Sequence, residues 1–388
     1  MIKKRIGLAI VYKYPDYGSM LQALATQLTL TRLGYDSEAI NTDVLQASIN
    51  KRKYRYFVAN LLDLTIVKEK SKIVKKKFLT KFNHTFGENM RVREEAFKRF
   101  NKRYFKESKA FTSWNELSEY CRNYDSVLVG SDQLWLPSNI VGDYYTLSFV
   151  PDAINKVCYA TSFGIGEVPL KYEETYRKFL GRIQHLSARE HSGQNIIHKM
   201  TGREVPLVCD PTLLMTARDW DKIAIRDRMV EEDYVFCYFM GDNPEQRTFA
   251  RNLARAHHCK VVSLLHLDQY IASDEKYADY VPYNISPADF ISLIKYANYV
   301  CTDSFHGTVF SIIYSKDFFT FKRFNKKASL STNTRIFSLL DRVGLSDRLF
   351  TAEEDVNADY HIAHYDEIQE GINKFRAESL VYLTNSLE

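Results

Sequence analysis

Short apolar runs alternate along the chain with stretches in which apolar residues recur at helical spacing. The first run covers residues 6–11, and a loop separates it from a helical pattern over residues 19–33 that ends at Gly34. An apolar run of this length fits a parallel strand buried on both faces, and Gly favours the left-handed backbone that terminates a helix. The order strand, loop, helix is the opening unit of an α/β domain.

The same alternation predicts further elements in the rest of the chain. Strands are predicted over the apolar runs 125–129, 156–163, 186–189, 205–209, 234–239, 260–265, 299–302 and 318–321. Helices are predicted to begin near residues 113, 242, 286, 307, 334 and 365, and one more to end at Gly202. Ser113 and Ser286 are the capping residues of two of these helices, and Pro244 and Pro287 suit a first helical turn.

A polar and charged stretch that ends at Asp233 interrupts the alternation and predicts a domain boundary within 212–230. We therefore predict two α/β domains in tandem, residues 1–212 and 213–364, followed by a C-terminal amphipathic helix over 365–388. Ligands of open parallel sheets bind beyond the carboxyl ends of the strands, so the binding site is expected in a cleft between the domains.

Charge is distributed unevenly along the 388 residues. The net charge is only +5, but residues 51–106 hold 18 Lys and Arg against 5 Asp and Glu. Apolar residues recur there at roughly helical intervals, which predicts a basic helical insertion over about 51–112 in the first domain. The rest of the chain is net acidic, so a general polyanion binder is disfavoured and we expect no nucleic-acid partner.

Cysteine usage and hydropathy predict a cytoplasmic protein. The six Cys residues are scattered without a CxxC pair, which is typical of reduced side chains. No run of 18 apolar residues exists, and the apolar run near the N-terminus is too short for a signal peptide. A hydrophobic fraction of 45% is ordinary for a globular chain and excludes wholesale disorder.

Among the loops that follow predicted strands, residues 303–307 are the sharpest candidate for a binding site. A helix N-terminus offers free N–H groups to an anion, Gly307 would admit close backbone approach, and His306 would add a donor whose charge can change. The alternative is that Asp303 or Ser304 only caps the helix and that His306 is a surface residue.

Other charged residues would complete a pocket only if the fold brings them there. Arg189 lies on a predicted strand, where its alternative role is a structural ion pair. Asp16 and Asp132 are candidate bases or, alternatively, loop and capping residues. A cationic cluster follows the last predicted strand, and its alternative is a solvated surface. Its members are Lys322, Arg323, Lys326, Lys327 and Arg335.

Six phrases occur together and in one order. They are Tyr17-Gly-Ser-Met-Leu-Gln22, Gly130-Ser-Asp-Gln-Leu-Trp135, Tyr159-Ala-Thr-Ser-Phe-Gly164, Ser187-Ala-Arg-Glu190, Asp210-Pro-Thr-Leu-Leu214 and Asp303-Ser-Phe-His-Gly-Thr-Val-Phe-Ser311. Together they resemble the polysaccharide pyruvyl transferase family over about residues 5–345. The resemblance implies a GT-B-like pair of Rossmann-like domains. It also implies transfer of the pyruvyl group of phosphoenolpyruvate to a sugar as a cyclic ketal, with release of phosphate.

The resemblance further implies which residues form the site. The implied donor-site residues are Arg189, His306 and Lys326, with Lys322 or Lys327 as alternatives to Lys326. From the loop over residues 303–307 we also expect Ser304 and Gly307 to contact phosphoenolpyruvate. Ketal formation needs an acid and a base, so we assign the acid, or phosphate stabilisation, to His306 and the base to Asp16. Acceptor contacts are expected from Tyr17, Gly18, Ser19, Asp132 and Gln133.

Two departures from the family pattern leave the acceptor sugar open. Asp16 stands where many members have Asn, and Leu136-Pro137 stands where Asn is common. No cluster with metal-ligand spacing occurs in the sequence, so we predict no metal and no cofactor besides phosphoenolpyruvate as co-substrate.

The family resemblance also implies a lipid-linked oligosaccharide acceptor at the inner membrane face. The basic helices within 51–106 suit an anionic membrane surface, and the alternative is an insertion whose charges are merely solvated. The competing function is a GT-B glycosyltransferase that uses a nucleotide sugar, because the His306 loop could also hold a diphosphate.

Overall fold

The computed structural model describes residues 3–59, 78, 80–81, 83–224, 226–266, 270–274, 276–323 and 334–388. Two parallel sheets organise these residues, and each sheet has five strands. We call the part that carries the first sheet the first domain and the part that carries the second sheet the second domain. The predicted fold class, two α/β domains in tandem, is confirmed.

The first sheet has the strand order β3-β2-β1-β4-β5, and all of its pairings are parallel. The elements of the first domain are β1 (Arg5–Ala9), α1 (Tyr17–Arg32), β2 (Asp36–Asn41), α2 (Gln46–Ala59), α3 (His84–Tyr104), β3 (Glu107–Ala110), α4 (Trp114–Cys121), β4 (Ser126–Val129), α5 (Pro137–Ile140), β5 (Asn155–Cys158), α6 (Glu173–Arg182) and α7 (His191–Thr201).

The second sheet has the order β10-β9-β8-β6-β7 and is also entirely parallel. Its elements are α8 (Ala217–Asp221), β6 (Tyr234–Tyr238), α9 (Pro244–Ala256), β7 (Lys260–Ser263), α10 (Pro287–Lys295), β8 (Tyr299–Thr302), α11 (Phe305–Ile313), β9 (Asp317–Phe321), α12 (Thr334–Arg342), β10 (Leu349–Phe350) and α13 (Tyr365–Leu387). Single 3-10 turns occur at Leu170–Tyr172, Pro211–Leu214, Ala272–Asp274 and Ser346–Arg348.

The interior strands β4 and β6 form where the sequence is mostly apolar. Every residue of β4 and β6 is buried, as expected for parallel strands covered by helices on both faces. The predicted helix ends are also confirmed: Ser286 forms a capping box with Asp289, and Gly202 closes α7 in the left-handed conformation. Local chemistry therefore positions the loops at the ends of the strands.

The C-terminal helix α13 leaves the second domain and returns to the first. Ser379 Oγ accepts a hydrogen bond from the backbone N–H of Cys209 at 2.9 Å, and the Tyr382 hydroxyl donates to the carbonyl of Cys158 at 2.9 Å. Helix α3 makes a second connection, since the buried Arg93 donates to the carbonyl of Leu265 at 2.8 Å. These contacts hold the carboxyl ends of the two sheets towards each other.

Several elements differ from the sequence-based predictions. Residues 186–189 and 205–209 are not strands and share only an isolated bridge between Ala188 and Leu207. Strand β2 was not predicted because it begins with polar residues, and β10 was missed because it is two residues long.

The predicted helical insertion over 51–112 needs correction. Its described part contains the end of α2, the helix α3 and the strand β3, which is an edge strand of the first sheet rather than a helix. Residues 60–77 of the predicted insertion lie outside the described residues. Within the described ranges, no helix is both long and apolar enough to cross a membrane.

Candidate functional site

A cavity of about 630 Å³ lies where loops from both domains meet. The first domain contributes the segment before α1, the loop after β4 and part of α2. The second domain contributes the loop after β8, together with Arg323 and Arg335. Most of these segments follow the carboxyl ends of parallel strands, the expected place for a ligand in such folds.

The N-terminus of α1 forms one wall of the cavity. Asp16 caps the helix, because its Oδ1 accepts a hydrogen bond from the backbone N–H of Ser19 at 2.7 Å. Its Oδ2 lies 3.5 Å from the hydroxyl of Tyr238, which belongs to the second domain. The Ser19 hydroxyl donates to Oδ2 of Asp132 at 2.5 Å. One helix turn thus joins two carboxylates that both line the cavity.

The loop after β8 forms the opposing wall. Ser304 caps α11 through the N–H of Gly307 at 3.4 Å, so this N–H is already used within the helix. The Asp303 carboxylate accepts the backbone N–H groups of Met240 and Gly241 at 2.6 and 2.8 Å. His306 follows in the first turn of α11 and lines the cavity.

Gly18 allows His306 to occupy this position. A Cβ atom at Gly18 would overlap Nδ1 of the His306 ring, so any larger residue would displace the imidazole. The ring therefore packs directly against the backbone of α1, across the boundary between the domains. Gly18 acts on the site through this packing.

Beneath the cavity, one oxygen of the buried Asp210 carboxylate, Oδ2, lies close to three side chains. Arg189 Nη1 donates to Oδ2 of Asp210 at 2.5 Å and to Oγ of Ser131 at 3.1 Å. Ser131 Oγ donates to the same Oδ2 at 3.1 Å, and Nε2 of His306 lies 3.7 Å from it. Asp210 thus holds Arg189 of the first domain next to His306 of the second.

The ring of Phe305 lies beside two buried guanidinium groups. The central carbon of Arg189 is 4.7 Å from the ring centroid, and that of Arg335 is 5.5 Å away. Oδ1 of Asp132 lies 3.9 Å from Arg189 and 4.0 Å from Arg335. Oε2 of the buried Glu190 also lies 3.6 Å from Nε of Arg189, so the floor of the cavity combines buried guanidinium groups with buried carboxylates.

Burial and neighbouring charges shift the pKa values of these groups in different directions. Burial raises the pKa of Asp16, and the charge of Asp132 adds to this effect. Burial alone would also raise the pKa of Asp132, but the charges of Arg189, His306 and Arg335 outweigh it and lower that pKa. Burial and the charge of Arg189 lower the pKa of Arg335 to about 9.

For Asp210, the contacts with His306 and Arg189 outweigh burial, and its pKa lies far below the ordinary value. The Asp210 carboxylate consequently stays ionised, whereas the raised pKa of Asp16 means that its carboxyl group takes up a proton at a higher pH than an exposed aspartate would.

Several buried donors around the cavity have no hydrogen-bond partner among the described residues. They are Nη2 and Nε of Arg189, Nε2 of His306, Nε of Arg335 and Nε2 of Gln133. A buried donor left without a partner costs about 1–3 kcal/mol, and charged groups cost more. Such a set of donors suits a compact ligand that carries several anionic oxygens.

The structure brings most of the predicted site residues together. Asp16, Ser19, Asp132, Gln133, Ser304 and His306 line the cavity. Arg189 does not line the cavity, but it is buried beside it and shares the Asp210 carboxylate with His306. Lys326 and its alternative Lys327 lie outside the described residues.

Besides Arg189, three predicted residues do not line the cavity. Tyr17 is fully buried, stacks on Phe290 with ring centroids 5.0 Å apart and donates to the carbonyl of Ile285. Gly18 contacts His306 rather than open space. Gly307 admits the side chain of Thr302, which a Cβ atom would overlap, and so serves packing rather than ligand approach.

Sequence reasoning assigned no role to Asp210, Ser131 or Phe305. Asp210 carried a signal, because it precedes Pro211 directly after an apolar run and accepts from both the backbone and the hydroxyl of Thr212. Arg335 was predicted only as part of a cationic cluster. Its position on the cavity wall agrees with the alternative in which the cluster contributes to the pocket rather than to a solvated surface. The described residues contain no group of three or more metal-ligating side chains.

Comparisons with known proteins give one family match. The family model described as polysaccharide pyruvyl transferase matches residues 16–323. No curated protein sequence matches the chain significantly.

Solved structures with a similar arrangement are distant in sequence. UDP-GlcNAc 2-epimerase from Neisseria meningitidis bound to UDP-GlcNAc shares 10% identity at a TM-score of 0.47, over 97% of this chain and 99% of that chain. UDP-GlcNAc 2-epimerase from Methanocaldococcus jannaschii shares 11% at 0.47, over 96% and 100%. E. coli ADP-heptose lps heptosyltransferase II shares 9% at 0.40, over 97% and 99%.

The central position of Asp210 predicts a large effect on stability. Asp210→Asn removes the negative charge from Arg189, and breaking one partner of a buried ion pair costs about 3–5 kcal/mol. Asp152→Asn is the matched control, because Asp152 pairs with Arg182 at the surface with 87% of its side chain exposed. Exposed pairs contribute about 0–1 kcal/mol.

Urea unfolding of both variants measures this difference. Because the pKa of Asp210 is depressed in the folded state, its contribution is complete above the pKa of an unfolded aspartate and is lost as the pH falls towards the folded-state value. The difference in the free energy of unfolding between wild type and Asp210→Asn should therefore decrease as the pH falls. Equal losses in the two variants at neutral pH would contradict the role of Asp210.

Proposed function

Because the chain belongs to the polysaccharide pyruvyl transferase family, we propose that it transfers the pyruvyl group of phosphoenolpyruvate to a sugar of a surface or capsular polysaccharide repeat unit. The product is a cyclic ketal, and phosphate is released. The observation that supports this proposal is the convergence of Arg189 and His306 on Asp210 at the base of one cavity.

Phosphoenolpyruvate fits the donors of the cavity floor. It carries a phosphate and a carboxylate on a three-carbon frame, and so needs several cationic donors within a small volume. Arg189 and Arg335 offer buried guanidinium groups with unused N–H donors, and His306 offers Nε2. Guanidinium groups bind carboxylate and phosphate with two parallel hydrogen bonds, which would fix the orientation of the substrate.

The reaction requires both an acid and a base. In the proposed sequence, His306 gives a proton to C3 of phosphoenolpyruvate, which becomes the methyl group and leaves positive charge at C2. A sugar hydroxyl attacks C2, and its proton passes to Asp16. The C2–O bond to phosphate breaks, and a second hydroxyl closes the ketal ring. One of the two hydroxyl protons replaces the proton given to C3, and the other leaves with phosphate.

The two carboxylates near α1 suit different roles. The raised pKa of Asp16 brings it closer to the operating pH, which favours its use as a base. The lowered pKa of Asp132 keeps it ionised, so it suits hydrogen bonding to the acceptor and to Ser19 rather than proton transfer. Environments that shift the pKa values of two carboxyl groups in opposite directions are typical of acid–base sites.

The competing reaction is glycosyl transfer from a nucleotide sugar. Thermal unfolding of the protein with either ligand separates the two functions, since a ligand at 100 times its Kd stabilises the folded state by about 2.7 kcal/mol. Phosphoenolpyruvate should raise the unfolding temperature. Stabilisation by UDP- or ADP-sugars without any effect of phosphoenolpyruvate would instead favour the glycosyltransferase.

His306→Ala should lower the rate of phosphate release at least about 100-fold, because it removes a proton donor of the chemical step. Activity is followed as free phosphate from phosphoenolpyruvate with lipid-linked galactose or mannose acceptors, and mass spectrometry detects the ketal. His361→Ala serves as the control, since 68% of that side chain is exposed. Near-normal turnover of folded His306→Ala protein would disprove the assignment.

The pH dependence of kcat/KM tests Asp16. A base must be deprotonated to act, so activity should fall as the pH drops through the pKa of Asp16. Because burial and Asp132 raise that pKa, the fall should begin at a higher pH than for an exposed aspartate. Asp16→Asn should lose most activity together with this acidic limb. An unchanged acidic limb in a variant that retains activity would assign the base to another group.

We also propose that the protein works at the inner, anionic face of the cell membrane and takes a lipid-linked acceptor. On α2, Tyr54 is 69% and Val58 47% exposed, and these two residues lie four positions apart on one helix face. Residues 51–106 carry 18 basic against 5 acidic side chains. Exposed apolar side chains within a basic segment suit an anionic lipid surface.

Flotation with vesicles tests this partner. The wild type should co-float with phosphatidylglycerol vesicles at low salt and less so at high salt, because each basic residue near the surface contributes about 1 kcal/mol that salt screens. Tyr54→Ser combined with Val58→Ser should weaken flotation. Leu170→Ser combined with Val381→Ser is the control, because these residues are 84% and 59% exposed elsewhere. Equal flotation of both double variants would refute docking through α2.

A further inference from the structure

The cavity extends beyond the groups used for the proposed chemistry. Its wall on the first domain includes Gln46 and Lys53 of α2, Asn139 of α5 and Tyr145. None of these residues takes part in the acid, base or phosphoenolpyruvate contacts proposed above. The wall combines amides, an aromatic side chain and an ammonium group, which is a suitable surface for a polar ligand larger than phosphoenolpyruvate.

Lys53 differs from the basic residues around it. Arg52 pairs with Asp143 at 3.0 Å, and Lys13 on the cavity wall pairs with Asp43 at 2.7 Å and Glu107 at 2.7 Å. Lys53 has no carboxylate partner within the part of the chain that the structure describes. Among the described residues, its Nζ donates only to the amide oxygen Oδ1 of Asn139, at 2.8 Å.

An ammonium group in this setting favours an incoming anion. Burial lowers the pKa of Lys53, which means that the surrounding protein destabilises its charge. An anionic group beside Nζ would restore that charge and form a charge-assisted hydrogen bond. Asp43, an acidic side chain of the same cavity, is already paired with Lys13.

Hydrogen bonds connect Lys53 to the carboxylate of Asp132. Asn139 Nδ2 donates to the carbonyl of Gln133 at 2.9 Å, and the N–H of Gln133 donates to Oδ1 of Asp132 at 2.7 Å. The side-chain Nε2 of Gln133 is buried and lacks a partner among the described residues. A ligand held at Lys53 would therefore lie along a hydrogen-bonded wall that leads to Asp132.

From this arrangement we infer that Lys53 and Asn139 form an acceptor subsite that binds an anionic group, either a phosphate or a carboxylate, carried by the sugar acceptor. The inference rests on the proposed function, because it assigns the acceptor to the wall opposite His306. The cations of the second domain, Arg335 and Arg323, would serve phosphoenolpyruvate, and Lys53 would serve the second substrate. The acceptor class is thus an acidic sugar or a sugar phosphate.

Calorimetric titration of the full-length protein tests this inference with defined probes. The probes are galactose 1-phosphate and mannose 1-phosphate, galacturonate and mannuronate, and the neutral methyl galactoside and methyl mannoside. The variants are Lys53→Met, which keeps the aliphatic stem, and Lys178→Met, an exposed lysine of α6 that serves as control. Phosphoenolpyruvate is titrated into each protein separately, and thermal unfolding confirms that each variant is folded.

At least one anionic probe should bind the wild type about tenfold more tightly than its neutral glycoside, a difference of about 1.4 kcal/mol. Lys53→Met should remove this advantage, Lys178→Met should keep it, and the Kd for phosphoenolpyruvate should change less than about twofold. Preference for the phosphates or for the uronates identifies which anionic group the site accepts.

Two results would overturn the subsite. One is equal or absent binding of the charged and neutral probes, or an advantage that survives in Lys53→Met. The other is a loss of phosphoenolpyruvate affinity in Lys53→Met, which would place Lys53 in the donor site. Failure of the proposed function looks different, because the wild type would then not bind phosphoenolpyruvate at all.

Discussion

The site depends on one buried carboxylate that requires compensation. Asp210 is 2% exposed, and an ionised carboxylate in that position is tolerated only when it is paired and hydrogen-bonded. Oδ1 accepts from the backbone and the hydroxyl of Thr212, which leaves Oδ2 for Arg189, Ser131 and the ring of His306. The charge of one residue thereby determines where a guanidinium of the first domain and an imidazole of the second domain lie.

The second constraint is the packing that brings the imidazole so close to α1. Gly18 leaves room for the His306 ring, and Gly307 leaves room for Thr302 at the end of β8. Phe305 then fills the space between the Arg189 and Arg335 guanidinium groups. Close packing between the domains therefore maintains the arrangement of buried charges at the floor of the cavity.

The sequence predicted the parts of this arrangement that depend on local chemistry. Buried runs such as β4 and β6 and capped helices such as α10 follow from apolar patterns and capping residues, which act over a few positions. Strand β2 was not predicted, because its residues are buried although their sequence is largely polar. Glycines were predicted as points of ligand approach, but sequence alone does not tell whether a ligand or another part of the chain occupies the space beside them. Asp210 escaped for the same reason, since its partners are distant in the chain.

Helix α2 links the proposed chemistry to the proposed membrane surface. Lys53 and Tyr54 are consecutive, so they lie about 100° apart around a helix whose diameter with side chains is about 10–12 Å. Lys53 lines the cavity, whereas Tyr54 is 69% exposed. A lipid surface that contacts Tyr54 would therefore lie within about one helix diameter of the Lys53 ammonium. A head group that carries an anionic link between sugar and lipid could then reach Lys53 without the lipid entering the cavity, which makes the two proposals geometrically compatible.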